Sequence, residues 1–386
     1  MKLEAKRGID VGNINLKITD ADKAYIIPNV ISEIDEPVSI NTTFLRFKKD
    51  EMKNQIDVLV NGKRVQLGNL AIKNGGRERG INAEKNSDAD IKIQTPILLA
   101  YEALKDKPGT TVFDASVYTS LPIREFKRKE KIQNYIELIA GENEVEFLSG
   151  DYAGNKIKVK VREDNIEVFP EGVLALFNIL TTKECGIRPE YQKLIGSIII
   201  VVDIGGGTID IAGLEVNKDE NGTLDLNIVN ELVDFIPEGV LNIEDKIIRR
   251  LKEKEYEISA AELDEIIRDS GCILDNGEDI SDEVEKHVRQ LAVKATKNVM
   301  DRINALPAIR RRKIKKIFTT GGGSLLPAGN AEKNLGELVN EALESNDYHA
   351  IESENPLFDG VKGMKKLIDM DEADEKELKE SKKGDK

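Results

Sequence analysis

Cysteine and histidine are scarce in this chain, with two of each among 386 residues. Cys185 and Cys272 cannot make a disulfide framework or the paired spacing of a zinc site, and His287 and His349 leave little for a histidine-rich metal centre. The plain reading is a pair of reduced cysteines in a cytoplasmic protein. Long apolar runs are missing as well. Nothing approaches the ~20 residues that span a bilayer, and Met1-Lys2-Leu3-Glu4-Ala5-Lys6-Arg7 has no apolar stretch of a signal peptide and is too short and charged for an amphipathic membrane element. A broad basic footprint is also absent. The formal net charge of −14 argues against a protein that grips DNA or an anionic membrane directly, though nucleic acid remains open as a partner at second hand. The one basic cluster, Arg310-Arg311-Arg312-Lys313-Ile314-Lys315-Lys316, has no aromatic residue interleaved for base stacking and reads as a solvated loop or a contact for an acidic neighbouring subunit.

What is present is apolar content of 40%, enough for more than one core, at a length that suggests roughly two or three domains. Two segments, Gly8-Ile9-Asp10-Val11-Gly12-Asn13-Ile14-Asn15-Leu16-Lys17 and Val202-Asp203-Ile204-Gly205-Gly206-Gly207-Thr208-Ile209-Asp210, share a design. Each puts an aspartate where an apolar strand ends and glycine where the chain must turn back tightly, which lets backbone N–H groups reach phosphate oxygens. A third glycine run, Thr320-Gly321-Gly322-Gly323-Ser324, follows another strand.

Around these motifs the chain reads as alternating strands and helices. Strands at 7–11 and 15–19 form a hairpin about Gly12 and Asn13, and Asn61-Gly62 joins 56–60 to 65–67 in a second hairpin inside a polar stretch from about 32 to 94. Thr95-Pro96 suggests an N-cap and first-turn proline for a helix over 97–104. A strand at 115–119, an amphipathic helix at 124–140 and a buried helix at 173–180 follow. The β-branched run 198–202 predicts a central strand covered on both faces. Asn221-Gly222 marks a hairpin between 209–216 and 224–233. Helices are expected at 243–254, at 260–270 with Ser259 and Glu262 as a capping box, at 282–306, and at 331–343 after a strand at 315–319. The last residues, from 366 onward, have little to bury and predict a frayed helix or disorder.

The chemistry that suits these motifs is binding of a nucleoside triphosphate with Mg2+. Gly12, Asn13 and Ile14 would offer backbone N–H groups to one side of the phosphates and Lys17 would add positive charge, while Gly205, Gly206, Gly207 and Thr208 would wrap the other side. Asp10 and Asp203 would face each other across the metal, through its water shell. The run 321–324 would let backbone pass close to the nucleoside or its α-phosphate. Glu171, just after Pro170 at a helix start, has two open readings: a carboxylate stabilised by the helix dipole, or one that orients a water for attack on the γ-phosphate.

In this order the three glycine motifs, with the Glu171 segment between the first two, resemble the actin-like ATPase superfamily, and within it the plasmid-segregation actins of the ParM type. The resemblance covers essentially residues 5–365. It implies an α/β, ribonuclease H-like fold of two lobes, each a mixed sheet with helices and an inserted subdomain. The first lobe would span 1–190 (subdomain IA) with an insertion at about 32–94 (IB). The second would span 191–365 (IIA) with a helical insertion at about 243–306 (IIB) and a final segment returning to the first lobe, before a charged tail at 366–386. By position it assigns the first phosphate loop to 8–17, including Asn15, and the joint between lobes to Ser120-Leu121-Pro122. Pro170-Glu171-Gly172 would hold the catalytic glutamate. The second phosphate loop would be 203–208, the turn bordering the nucleoside Glu238 and Gly239 of Pro237-Glu238-Gly239-Val240, and the adenosine motif 320–324 with Gly321, Gly322, Gly323 and Ser324. Asn355-Pro356-Leu357-Phe358-Asp359-Gly360-Val361-Lys362-Gly363-Met364 matches the family's closing segment. One departure is that Val11 and Asn13-Ile14 stand where the family commonly has a more polar, hydroxyl-bearing loop, which leaves Asn13 open as a phosphate ligand.

The resemblance further implies ATP or GTP and Mg2+ as cofactors, a homopolymeric filament that hydrolyses ATP, and a ParR-type DNA-binding adaptor on centromere-like plasmid DNA, all in the cytoplasm. Other readings are a cell-shape or phage-type bacterial actin and a sugar kinase of the same superfamily, for which no compact Asp/Asn/Lys sugar site is evident in the first lobe.

Overall fold

The computed structural model describes residues 1–19, 24–34, 56–78, 84–219, 223–330 and 332–384. The chain divides into two compact units: Met1–Leu121, Glu125–Phe169 and Leu367–Lys386 form the first, Pro122–Arg124 and Pro170–Lys366 the second.

Among the described residues, the first unit is built on a ten-stranded sheet. Strands β1 (Lys2–Val11), β2 (Asn15–Thr19) and β3 (Ala24–Pro28) form an antiparallel meander. Then come β4 (Val30–Ile34), β5 (Asp57–Val60), β6 (Lys63–Leu67), the short helix α1 (Asn69–Lys73) and β7 (Arg77–Glu78). Helix α2 (Ile91–Asp106) leads to β8 (Val112–Leu121), which lies parallel to β1. Helices α3 (Ile123–Phe126) and α4 (Lys129–Ile139) precede β9 (Gly141–Phe147) and β10 (Lys156–Pro170). The order is β3-β2-β1-β8-β10-β9-β5-β6-β4-β7. The described part of the expected insertion at 32–94 therefore extends this sheet, through pairing of β5 with β9. Asn61 and Gly62 take the left-handed conformation (φ 50° and 82°) that a two-residue hairpin needs.

Several boundaries differ from the sequence reading for identifiable reasons. Helix α2 starts at Ile91, so Thr95-Pro96 lies inside it rather than at its start. Pro96 withholds one N–H from the ladder, but its would-be acceptor lies on exposed Lys92, while the extra turn buries Ile91 completely. The helix expected over 124–140 breaks at extended Arg128. Before the break, buried Glu125 accepts hydrogen bonds from Asn86 N at 3.3 Å and Nδ2 at 2.7 Å, which anchors α3 separately. Gly141 opens β9 instead of closing a helix.

In the second unit, α5 (Val173–Leu180) precedes the meander β11 (Ile198–Ile204), β12 (Ile209–Lys218) and β13 (Leu224–Ile236). Helices α6 (Val240–Glu253), α7 (Ala260–Asp269), α8 (Ser281–Ala305) and α9 (Ala308–Arg311) follow. Strand β14 (Ile314–Thr320) runs parallel to β11, and after α10 (Leu335–Glu344) β15 (Ala350–Glu352) runs parallel to β14. Helix α11 (Asp359–Gly384) closes the chain. The strand order β13-β12-β11-β14 repeats β3-β2-β1-β8 of the first unit, with the same two antiparallel pairings and one parallel pairing. The duplicated layout read from the two aspartate-ended strands is thus a duplicated topology.

Residues 170–190, expected in the first lobe, group with the second unit because α5 buries Leu176, Ile179 and Leu180 against Ile199, Val201, Leu214 and Phe318 of its sheet. The tail from 366 is helical through Gly384, a continuation of α11. Helix α10 starts at Leu335 rather than 331, behind a capping box of Asn334 and Glu337, and Ala331 lies outside the described residues. The Asn221-Gly222 turn also lies outside them, although the strands it would join are paired. Among the described residues no helix is long and apolar enough to cross a membrane.

The capping box foreseen for α7 is present: Ser259 Oγ accepts from Glu262 N at 3.2 Å and Ser259 N donates to Glu262 Oε2 at 3.0 Å. Ser259→Ala should lower unfolding stability by about 1 kcal/mol, measured by urea denaturation at neutral pH; an unchanged midpoint would show that the cap contributes nothing.

Candidate functional site

In the first unit, β1 ends one residue past Asp10, and the antiparallel register sets Lys17 of β2 directly opposite it. Lys17 Nζ lies 3.2 Å from one carboxylate oxygen of Asp10. Lys85 Nζ lies 2.9 Å from the other. Burial would push the Asp10 carboxyl up, but the ammonium groups of Lys85 and Lys17 outweigh it and hold the group well below the ordinary carboxylate range. Between the strands, Gly12 N donates to Asn15 O at 3.0 Å, and a Cβ on Gly12 would sit 2.9 Å from that oxygen.

The loop is held from behind by buried Asn29, which donates from Nδ2 to Gly12 O (2.7 Å) and from its backbone N to Ile14 O (2.7 Å). Gln94 Nε2 of α2 donates to Asn29 Oδ1 at 2.6 Å, fixing the amide's orientation. Sequence reasoning missed Asn29, Gln94 and Lys85. Asn29 and Gln94 stand outside any recognisable motif, and Lys85 is one lysine of a polar stretch; only the fold brings it to Asp10.

In the second unit three glycine segments meet. Gly205 N donates to Thr208 O at 2.8 Å and Thr208 Oγ1 donates to Asp210 Oδ2 at 2.8 Å, closing the turn between β11 and β12. The start of α6 lies against this turn. Val240 N and Leu241 N donate to Gly205 O and Gly206 O, and a Cβ on Gly239 would fall 2.5 Å and 2.4 Å from the same two oxygens. From the other side, Gly323 N donates to Ile204 O at 2.8 Å. A Cβ on Gly321, whose φ is +88°, would fall 2.3 Å from Asp203 Oδ1 and 2.4 Å from Ile204 O. Gly322 is closed off by Leu357, and Ser324 Oγ, buried, donates back to Gly321 O at 2.9 Å. Glu238 pairs with Lys294 of α8 at 2.5 Å.

Glu171 is half-buried, one residue ahead of Gly172, the N-cap of α5 with φ +77°. A Cβ on Gly172 would lie 3.6 Å from Ala212 Cβ and 3.9 Å from Val201 Cγ1. Val201 pairs with Ala212, and Asp203 with Asp210 two residues further on, so the Glu171 turn covers the face of the sheet from which Asp203 projects. The structure therefore brings Glu171, Asp203, Gly205–Thr208, Gly239 and Gly321–Ser324 into one region of the second unit. Asp10, Gly12–Asn15 and Lys17 form a second cluster in the first unit. Among the described residues no group of three or more His, Cys, Asp or Glu side chains is arranged to hold a metal. A magnesium ion that keeps several of its waters needs only one or two carboxylates.

Residues 8–173 match the family described as the N-terminal domain of actin-like proteins. Among solved structures, the actin-like protein Alp7A is similar over 99% of this chain and 100% of its own, with a TM-score of 0.70 at 18% identity. A subunit of a 15-stranded ParM filament from Clostridium botulinum is similar over 95% and 99%, with a TM-score of 0.67 at 20% identity. The fold is actin-like. The ParM of Bacillus thuringiensis solved with AMPPNP has the same actin-like fold, covering 95% of this chain and 98% of its own with a TM-score of 0.60 at 19% identity. No curated protein matches the sequence.

Removing one of the two cations at Asp10 leaves a largely buried carboxylate half-compensated. Lys85→Met should cost about 1.5–3 kcal/mol of stability in urea denaturation at pH 7, the range for a hydrogen bond to a charged group. A variant as stable as the parent would mean that Lys17 alone suffices.

Proposed function

We propose that this protein is a filament-forming actin-like ATPase that binds ATP or GTP with magnesium, polymerises in the nucleotide-bound state, and hydrolyses nucleotide within the filament to segregate plasmid DNA. The observation that carries this reading is the meeting of three side-chain-free backbone segments beside Asp203. Gly239, Gly321 and Gly323 lie so close to the backbone of residues 204–206 and to Asp203 that a Cβ at any of the three would clash, which gathers three main-chain segments at one place, where a phosphate and a flat nucleoside would meet backbone rather than side chains. The actin-like fold, with one similar protein solved in a filament and another with an ATP analogue, supports the same reading.

On this reading Asn13 and Ile14 present backbone N–H groups to the phosphates from the loop that Gly12 and Asn15 close, with Lys17 nearby as positive charge. Asp10 and Asp203 are the carboxylates that would hold magnesium, through its water molecules. Magnesium, when bound, neutralises charge on the phosphate oxygens. Gly205–Thr208 wrap the phosphates, and Glu238, Gly239 and Gly321–Ser324 border the nucleoside. Glu171, at the start of α5 on the Asp203 face of the sheet, orients the attacking water. The net charge of −14 fits a protein that meets DNA through a basic adaptor of the ParR type rather than directly. The cytoplasm, where nucleotide and plasmid both reside, is its place of action.

Light scattering with ATP, GTP, ADP and a non-hydrolysable analogue over a range of protein concentrations tests this. A critical concentration that depends on the nucleotide is expected. Glu171→Ala should assemble and then persist as polymer, with hydrolysis reduced at least ~100-fold, whereas Asp203→Ala should lose nucleotide-dependent assembly. Turnover that ignores protein concentration and rises with an added sugar would replace the filament by a kinase. Plasmid loss on deletion of the gene separates a segregating filament from one with another cellular task.

A further inference from the structure

Asp359 opens helix α11 and is almost fully buried, at 2% exposure. Its Oδ1 accepts a hydrogen bond from Asn178 Nδ2 at 2.8 Å; its Oδ2 accepts from Thr320 Oγ1 at 2.9 Å and from Ser353 Oγ. Burial pushes its carboxyl up, against the pull of the Ser353, Thr320 and Asn178 donors. A carboxyl group withdrawn from water is costly, and an apolar residue of similar size would pack the same space at less expense. Its three donors are therefore informative by where they come from.

Asn178 belongs to α5, the helix that begins directly after Glu171-Gly172. Thr320 is the last residue of β14, directly before Gly321, which leaves no room for a Cβ beside the Asp203 carboxylate. The same two elements are held to the chain around Asp359 at further points. Gly321 N donates to Pro356 O at 3.1 Å, and Ser353 N donates to Thr319 O at 2.9 Å. Gly363 lies so close to α5 that a Cβ there would be 2.2 Å from Leu174 O. Lys366 Nζ, one turn on, donates to Asn178 O at 2.9 Å and to Thr181 O at 2.7 Å, closing the C-terminal end of α5.

We propose that Asp359 is a positioning residue for hydrolysis: one carboxyl group fixes the spacing between helix α5, which directly follows the Glu171 turn, and the loop, Gly321–Gly323, that borders the nucleotide beside Asp203. It acts through Asn178 on one arm and through Thr320 on the other. This rests on the proposed nucleotide site and assigns a role to a residue of the closing segment that the phosphate and nucleoside contacts do not use.

The two arms make different demands on an experiment with the full chain. Nucleotide affinity is read by titration of a fluorescent ATP analogue, and the hydrolytic step by single-turnover assay at saturating ATP. Asn178→Leu cuts the arm to Glu171 and should slow the saturated rate about tenfold or more while affinity changes far less, because geometry at the reacting centre is what is lost. Thr320→Val cuts the arm to the glycine loop and should appear chiefly as weaker affinity, with Thr320→Ser restoring it. Asp359→Ala should show both losses. Amide hydrogen exchange without nucleotide gives a separate reading: Asn178→Leu should speed exchange in the first turn of α5, and Thr320→Val at Gly321 and Gly323. Parental rate and affinity in the folded single-arm variants, or equal loss of both quantities in each, would overturn the positioning role. A parent protein that binds and turns over nucleotide while the arms fail to separate sinks this inference alone; a parent that binds none sinks the proposed function and the inference with it.

Discussion

Main chain packed against main chain is the constraint on which the second unit depends. At Gly239, Gly321 and Gly323 the space that a side chain would fill is already taken by the carbonyl oxygens of residues 204–206 or by the carboxylate of Asp203. Alanine is the smallest L-residue with a Cβ, and even it would force these backbones apart. The start of α6, the turn after β11 and the loop after β14 are therefore locked into mutual register by the absence of atoms. Val240, Leu241 and Gly323 then supply the hydrogen bonds that make the approach favourable.

How much of this could be read from the sequence follows from what each feature requires. Strands whose residues are buried on both faces, such as β11, declare themselves by composition alone, and helix α5 does so by a run between Gly172 and Thr181 that is apolar except for Asn178. The hairpin at Asn61-Gly62 and the cap at Ser259 were legible because their chemistry is local. Pro96 misled because proline's preference for a helix start is a local tendency, overridden here by the burial of Ile91. β10 mixes alternation at its start with the charged stretch Arg162-Glu163-Asp164, so the sequence assigns it no element, and only the sheet, where β8 and β9 flank it, shows it as a strand.

The candidate site divides in the same way. The aspartates and glycines are visible because backbone geometry restricts which residues can stand there. Asn29, Gln94 and Lys85 are invisible because their work is done across 17, 65 and 75 residues of sequence, and an asparagine that holds a loop carbonyl looks like any other asparagine. Lys85 is the sharper lesson. In a chain with an excess of 14 negative charges the cation that matters most to Asp10 is supplied from outside the loop that contains it, and burial, which would otherwise protonate the carboxyl, instead strengthens that attraction.

The repeated strand order, β3-β2-β1-β8 in one unit and β13-β12-β11-β14 in the other, is made from stretches with almost no residues in common beyond the strand-end aspartate and its glycine. Ladder pairing asks only for extended backbone, so most positions in either half can drift through Val, Ile and Leu without disturbing the path of the chain. The spots where the chain must reverse tolerate no such freedom. Mutational tolerance in this protein should accordingly be patchy: broad along the ribbons, and almost nil at the handful of places where they end.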